Sequence, residues 1–140
     1  MIQQEILVNK MNQIRWYLRE VEPILQESTS TITTEMQKLR SVERLLQLIV
    51  DTAIDINTHI ITHSDFSIPD DYESTFITLG EKKVLPMEFA LKIAPSVGLR
   101  NRVVHKYGEI NLKRMVDEIK ENIDDYPEYL KHLEQFLARA

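Results

Sequence analysis

Residues 36–64, MQKLRSVERLLQLIVDTAIDINTHIITHS, decide the fold. Met36, Leu39, Val42, Leu46, Ile49, Val50, Ala53, Ile56 and Ile60 recur mostly at spacings of three and four, the period of a helical stripe turned to a core. Neither Gly nor Pro interrupts the run, so it predicts one long central helix, capped by Thr33 or Thr34 and ending near Ser64. At about 100° per residue, Gln47, Asp51, Asp55 and His59 fall on the side away from that stripe. Leu48, Ile54 and Ile61 are apolar outside it, which predicts a second packing partner. We read that partner as a second copy in a homodimer, with extra core contacts to a short helix as the alternative.

Working outward, Leu7, Met11, Ile14, Leu18, Val21 and Leu25 mark a first helix that Pro23 ends or kinks. Beyond the central helix, residues 65–71 read as a loop and 72–79 as a short helix stopped by Gly80. Pro86 suits the first turn of a further helix with Met87, Ala90, Leu91 and Ala94 inward, and Pro95 and Gly98 predict a kink just before residues 100–107. Asn111 caps a last helix, bent at Pro127, in which Leu112, Val116, Ile119, Ile123, Tyr126, Leu130, Leu133 and Leu137 keep a four-three alternation. The expectation is an all-α, predominantly antiparallel bundle of four main helices plus a short one, forming a single domain over residues 1–140.

Composition agrees with that class. Three Gly and five Pro in 140 residues leave little material for the turns of a sheet. The absence of cysteine excludes disulfides and thiolate metal sites and points to a reducing compartment. The N-terminal MIQQEILVNK lacks the marks of a signal peptide, and no apolar run approaches the roughly twenty residues that span a bilayer, so a soluble, cytoplasmic protein without a membrane role is expected. A net charge of −5 argues on average against a nucleic-acid partner. From Lys82 to Arg114, however, eight basic residues face only Glu88 and Glu109, a local balance of +6 that leaves −11 for the remainder.

Chemistry concentrates in residues 99–107, LRNRVVHKY, where a permanent cation, an imidazole and a phenol lie close in sequence. On an ideal helix Arg100 and His105 are about 140° apart, whereas Arg102 and His105 differ by about 60°. Spacing therefore does not by itself bring Arg100 to His105. Three resolutions are open: a kink near Gly98 re-aims Arg100, its long side chain reaches round, or it serves the His105 of a partner subunit. Arg102 is the substitute if Arg100 points away. A lone histidine among charges is more often solvated than reactive. The stripe of Asp51, Asp55 and His59 has metal-ligand spacing, but such stripes are usually solvated, and no metal is expected. Asn57 falls within the core stripe and reads as a buried, hydrogen-bonded orienter. His63 and His132 read as surface residues, and Trp16 and the tyrosines at 17, 72, 126 and 129 as core and interface rather than base-stacking platforms.

The order Arg100, four residues, His105, one residue, Tyr107, with polar Asn101 after the arginine, resembles the signature of HEPN proteins of the HepT group. The likeness extends from Val42 to about Leu137 and includes residues 42–46 and 51–61, similar to the family's central helix, with Asp51 and Leu99 as small departures from its usual pattern. The resemblance implies the HEPN fold and a metal-independent endoribonuclease, without a cofactor, that acts as a homodimer. Arg100 and His105 would be catalytic, with Asn101, Arg102, Asp51 and Asp55 in support. Tyr107 would accept AMP from a partner nucleotidyltransferase antitoxin of the MNT type. The alternative is a non-catalytic nucleotide-binding or adaptor partner of such an enzyme.

Overall fold

The structure is a computed structural model that describes residues 2–105 and 111–140. Among these, eight helices follow one another: α1 (Gln4–Leu25), α2 (Thr29–Thr34), α3 (Met36–Thr62), α4 (Glu73–Glu81), α5 (Met87–Ile93), α6 (Ser96–His105), α7 (Leu112–Ile123) and α8 (Tyr126–Arg139). The described residues contain no strand.

The central helix is α3, and eight of the nine predicted stripe residues are buried along it. Met36 is the exception at 56% exposed, because the helix begins beyond the edge of the core. Thr33 and Thr34 do not cap it. They close the separate turn α2, whose own cap is Ser28, with Oγ accepting from the Thr31 N–H at 3.1 Å. The Thr34 hydroxyl donates back to the Ser30 carbonyl at 2.9 Å, a competing local bond open to threonine within a helix. Helix α1 continues through Pro23 to Leu25 and lies antiparallel to α3. Gln3 meets His59 at one end, Lys10 pairs with Asp55 further along, and Glu27 pairs with Lys38 at the other end.

Two of the three apolar residues outside the α3 stripe are satisfied inside one chain, and Leu48 stays half-buried. Ile54 and Ile61 are buried, and α4 and α6 both pack on this helix, so the short-helix alternative accounts for those residues without a second copy. Gly80 does not stop α4; it sits within it. A Cβ there would lie 2.7 Å from the Ala90 Cβ, so glycine is what lets α5 cross α4 closely. The turn falls instead at Lys83, whose φ of 63° is left-handed. In α5 the buried residues are Phe89, Ala90 and Ile93, while Met87 and Leu91 face outward. Phe89, the largest apolar side chain of the segment, sets the phase of that face.

Two of the four main helices are broken. Pro95 separates α5 from α6, and the buried Ser96 hydroxyl donates to the Ile93 carbonyl at 2.6 Å across the break. Gly98 lies inside α6, so the kink belongs to Pro95 alone. Asn111 caps α7 as expected, its Oδ1 accepting from the Arg114 N–H at 3.1 Å. The last helix then breaks at Asp124–Asp125, and Pro127 stands in the first turn of α8 rather than at a bend.

A buried polar chain crosses the core. The Tyr129 hydroxyl donates to Asn57 Oδ1 at 2.6 Å, Asn57 Nδ2 donates to Thr75 Oγ1 at 3.1 Å, and the Thr75 hydroxyl donates to the Tyr72 carbonyl at 2.6 Å. Asn57 is fully buried and thus ties α3, α8 and the start of α4 together. Burial holds the Tyr129 phenol well above its usual pKa, so it stays a donor.

Candidate functional site

Helix α6 carries the candidate site. Leu99 and Val103 are buried and fix its rotation against α3, which leaves Arg100 at the edge of the contact and Asn101, Arg102 and His105 exposed. Arg100 reaches α3, where its Nε donates to Asp51 Oδ1 at 2.9 Å and its Nη2 to Asp51 Oδ2 at 3.3 Å. This is a two-point carboxylate–guanidinium fork, a geometry that lysine does not reproduce. Arg100 Nη1 also donates to Asn101 Oδ1 at 3.2 Å. Of five guanidinium N–H donors, three are then engaged, and two have no partner among the described residues.

The other predicted residues separate. Arg102 Nη2 donates to Glu118 of α7 at 2.7 Å, so it faces away from Asp51. Asp55 pairs with Lys10 of α1 at 3.7 Å and does not join the Arg100 cluster. Asn57 belongs to the core chain described above. His59 Nε2 accepts the Gln3 backbone N–H at 3.3 Å, and its ring stacks on His63 at 4.0 Å. The Asp51, Asp55 and His59 stripe is therefore divided among three different partners. Burial first, then the charges of His63 and Lys10, lower the His59 pKa. Tyr107 lies outside the described residues.

His105 closes α6 and is exposed. Because α6 is continuous from Ser96 to His105, the break at Pro95 precedes both Arg100 and His105 and does not turn one relative to the other. The roughly 140° between them therefore persists within one chain. Asn101, by contrast, lies one turn before His105 on the same face.

Four of the eight basic residues of the segment are engaged in ion pairs among the described residues. Lys92 pairs with Asp125 at 3.2 Å, Arg100 with Asp51, and Arg102 and Arg114 both with Glu118. Beside Asn101 opens a cleft of about 500 Å³ between α6 and the loop before α4, within the common range for ligand sites. Tyr72 stands on its rim at 65% exposed rather than in the core or a helix contact. Periodicity missed this residue because it begins a helix; its position beside Asp70 and Asp71 in a polar loop was the available signal.

This architecture is the fold shared by solved HEPN toxins. The fold superposes on a tri-AMPylated HEPN toxin of Shewanella oneidensis, seen in complex with an MNT antitoxin, with a TM-score of 0.84 at 24% identity over 93% of this chain and 97% of that one. A family model described as Ribonuclease HepT-like matches residues 14–133, and the chain belongs to that family. It is 33% identical over 136 residues to the tRNA nuclease HepT of Aphanizomenon flos-aquae, covering 97% of this chain and 92% of the relative. It is 25% identical over 126 residues to the mRNA nuclease HepT of Shewanella oneidensis, covering 90% and 94%. The activity class is therefore endoribonuclease, and the relatives favour it over the adaptor alternative.

Proposed function

We propose that this chain is the toxin of a HEPN–MNT pair, a cytoplasmic, metal-independent endoribonuclease that works as a homodimer through Arg100 and His105. The observation that carries the reading is the anchored guanidinium: Asp51 holds Arg100 by two bonds and leaves part of its fork open. A guanidinium placed in this way is suited to the charge that builds on phosphate oxygens during backbone cleavage.

The ribose 2′-oxygen attacks the adjacent phosphorus while the bond from phosphorus to the 5′-oxygen breaks. One imidazole takes the 2′-hydroxyl proton and a second protonates the leaving 5′-oxygen. One histidine does not perform both tasks at once, so two copies of His105 share them in a composite cleft. The divergence of Arg100 and His105 on an unbroken α6 supports the same arrangement, with Arg100 of one copy serving the His105 of the other. Asp51 is a positioning residue in this scheme, and Asn101 steadies the opposite edge of the guanidinium.

Tyr107 is the acceptor for AMP from an MNT-type nucleotidyltransferase. The added phosphate and bulk, two residues from His105, would occupy the anion site and block RNA. The AMPylated state and MNT complex of the Shewanella toxin support this assignment.

Purified protein incubated with tRNA and total RNA in EDTA should cleave, and His105→Ala and Arg100→Ala should each lose about 10²- to 10⁴-fold in rate. RNA left intact by the wild-type chain would remove the nuclease assignment. Tyr107→Phe should cleave normally and gain no mass on co-expression with the antitoxin.

A further inference from the structure

We propose that the cleft between α6 and the loop before α4 is a nucleobase subsite, which takes the base of an RNA nucleotide next to the phosphate held by Arg100. The proposal rests on the ribonuclease reading and adds to it the part of the substrate that is gripped outside the phosphate.

Four observations converge on the cleft. Its aromatic wall is Tyr72, exposed at the cleft whereas the core aromatics Phe76, Tyr126 and Tyr129 are fully buried. Trp16, the other strongly exposed aromatic and not the core residue expected from the sequence, stands on α1 and does not line the cleft. An exposed ring on the rim of a cleft offers a base a stacking face. The Tyr72 backbone is fixed by Thr75 and, through it, by the buried Asn57, so the platform is built on the core rather than on a loose loop. The opposite wall is α6, where Val97 is apolar and Gly98 presents bare backbone; a Cβ at Gly98 would meet nothing within 4 Å.

Position supplies the second argument. Val97, Gly98 and Asn101 line the cleft, and at about 100° per residue His105 falls on this same face of α6. Asn101 both lines the cleft and accepts a hydrogen bond from Arg100, so its occupant lies one residue from the guanidinium. A cleft that borders the phosphate-binding arginine is placed to take the base attached next to that phosphate.

Charge decides which part of the nucleotide enters. Asp70, Asp71 and Glu73 line the cleft and disfavour a phosphate there. Asp71 is engaged at the start of α4, with Oδ1 accepting from the Ser74 N–H at 2.8 Å, and that bond lowers its pKa. Asp70 and Glu73 form no ion pair among the described residues and are available as acceptors for base N–H groups. Carboxylates accept from the amino edges of guanine, adenine and cytosine, whereas the N3–H of uracil lies between two carbonyl oxygens that repel a carboxylate. The subsite therefore selects amino-bearing bases over uracil.

Two measurements on the full-length protein test this. In steady-state cleavage of oligoribonucleotides, Tyr72→Ala should raise KM by about 5- to 100-fold with kcat little changed, while Tyr72→Phe behaves as wild type. Asp70→Asn with Glu73→Gln should reduce the discrimination against uridine next to the cleaved bond. In NMR titration, guanosine monophosphate should shift the Gly98 and Asn101 amides far more than uridine monophosphate does, and Tyr72→Ala should abolish the difference. Unchanged KM and base preference in Tyr72→Ala, with His105→Ala inactive, would overturn the subsite and leave the nuclease standing. Nucleotide shifts without any effect of Tyr72→Ala on RNA cleavage would mark a free-nucleotide site and overturn the proposal as well. If the wild-type chain cleaves no RNA, the nuclease reading falls, and a titration without shifts at Gly98 and Asn101 rejects the cleft separately.

Discussion

Asp51 governs how Arg100 is presented. An exposed ion pair adds little to stability, and this one, between groups 40% and 22% exposed, is better understood as a positioning contact. Asp51→Ala should therefore lower kcat by about 10- to 100-fold through misplacement of the guanidinium, with thermal stability almost unchanged. Steady-state cleavage beside a melting curve checks both halves, and Asp51→Glu should recover part of the loss. The spacing of Arg100, His105 and Tyr107 was legible because it lies within eight residues. The Asp51 contact was not, because forty-nine residues separate the partners and only the docking of α6 on α3 reveals it. Asp55 shows the converse: it shares a helix face with Asp51, yet Lys10 on α1 claims it.

Periodicity identified the helices but misjudged where several of them stop. Thr33, Thr34, Gly80 and Gly98 are all residue types that favour caps or breaks, and none of them caps or breaks a helix here. Gly80 answers to a tertiary demand, the close crossing of α5, which no local pattern records. Gly80→Ala should destabilise the protein by about 1–2 kcal/mol, the cost of overpacking less the helix-propensity gain. Urea unfolding measures it, and Ala90→Gly in the same background should restore part of the loss, because the two Cβ positions compete for one space. The apolar residues outside the α3 stripe were legible as a demand for a second partner. Which partner met that demand depended on where α4 and α6 lay.

Across the whole molecule, α1 is joined to α3 by its buried apolar stripe, and an unprotonated histidine adds one contact at the start of α1. His59 Nε2 accepts the Gln3 N–H, with His63 and Lys10 nearby and Asp55 paired to Lys10. Its pKa is lowered in the folded chain, so the contribution is complete above the unfolded value near 6.5 and is lost as pH falls through the folded value. The melting temperature should fall slightly on acidification below that point, and His59→Gln should flatten this part of the profile. A test of the shared cleft belongs to the same scale. If two copies of His105 share one cleft, mixing equal amounts of wild-type and His105→Ala chains after subunit exchange should leave about a quarter of the activity of the same total of wild-type protein, from the wild-type homodimers alone. Retention of about half would mean that each site needs only one His105 and would end the shared cleft.

The bond between Asp51 and Arg100 also has a temporal side. A chain still emerging from the ribosome has the carboxylate long before the guanidinium, and it has neither in place until the bundle closes. Under the proposed role of Arg100, competence to cut arrives only with completion of folding, and an unfinished or heat-loosened copy would be inert.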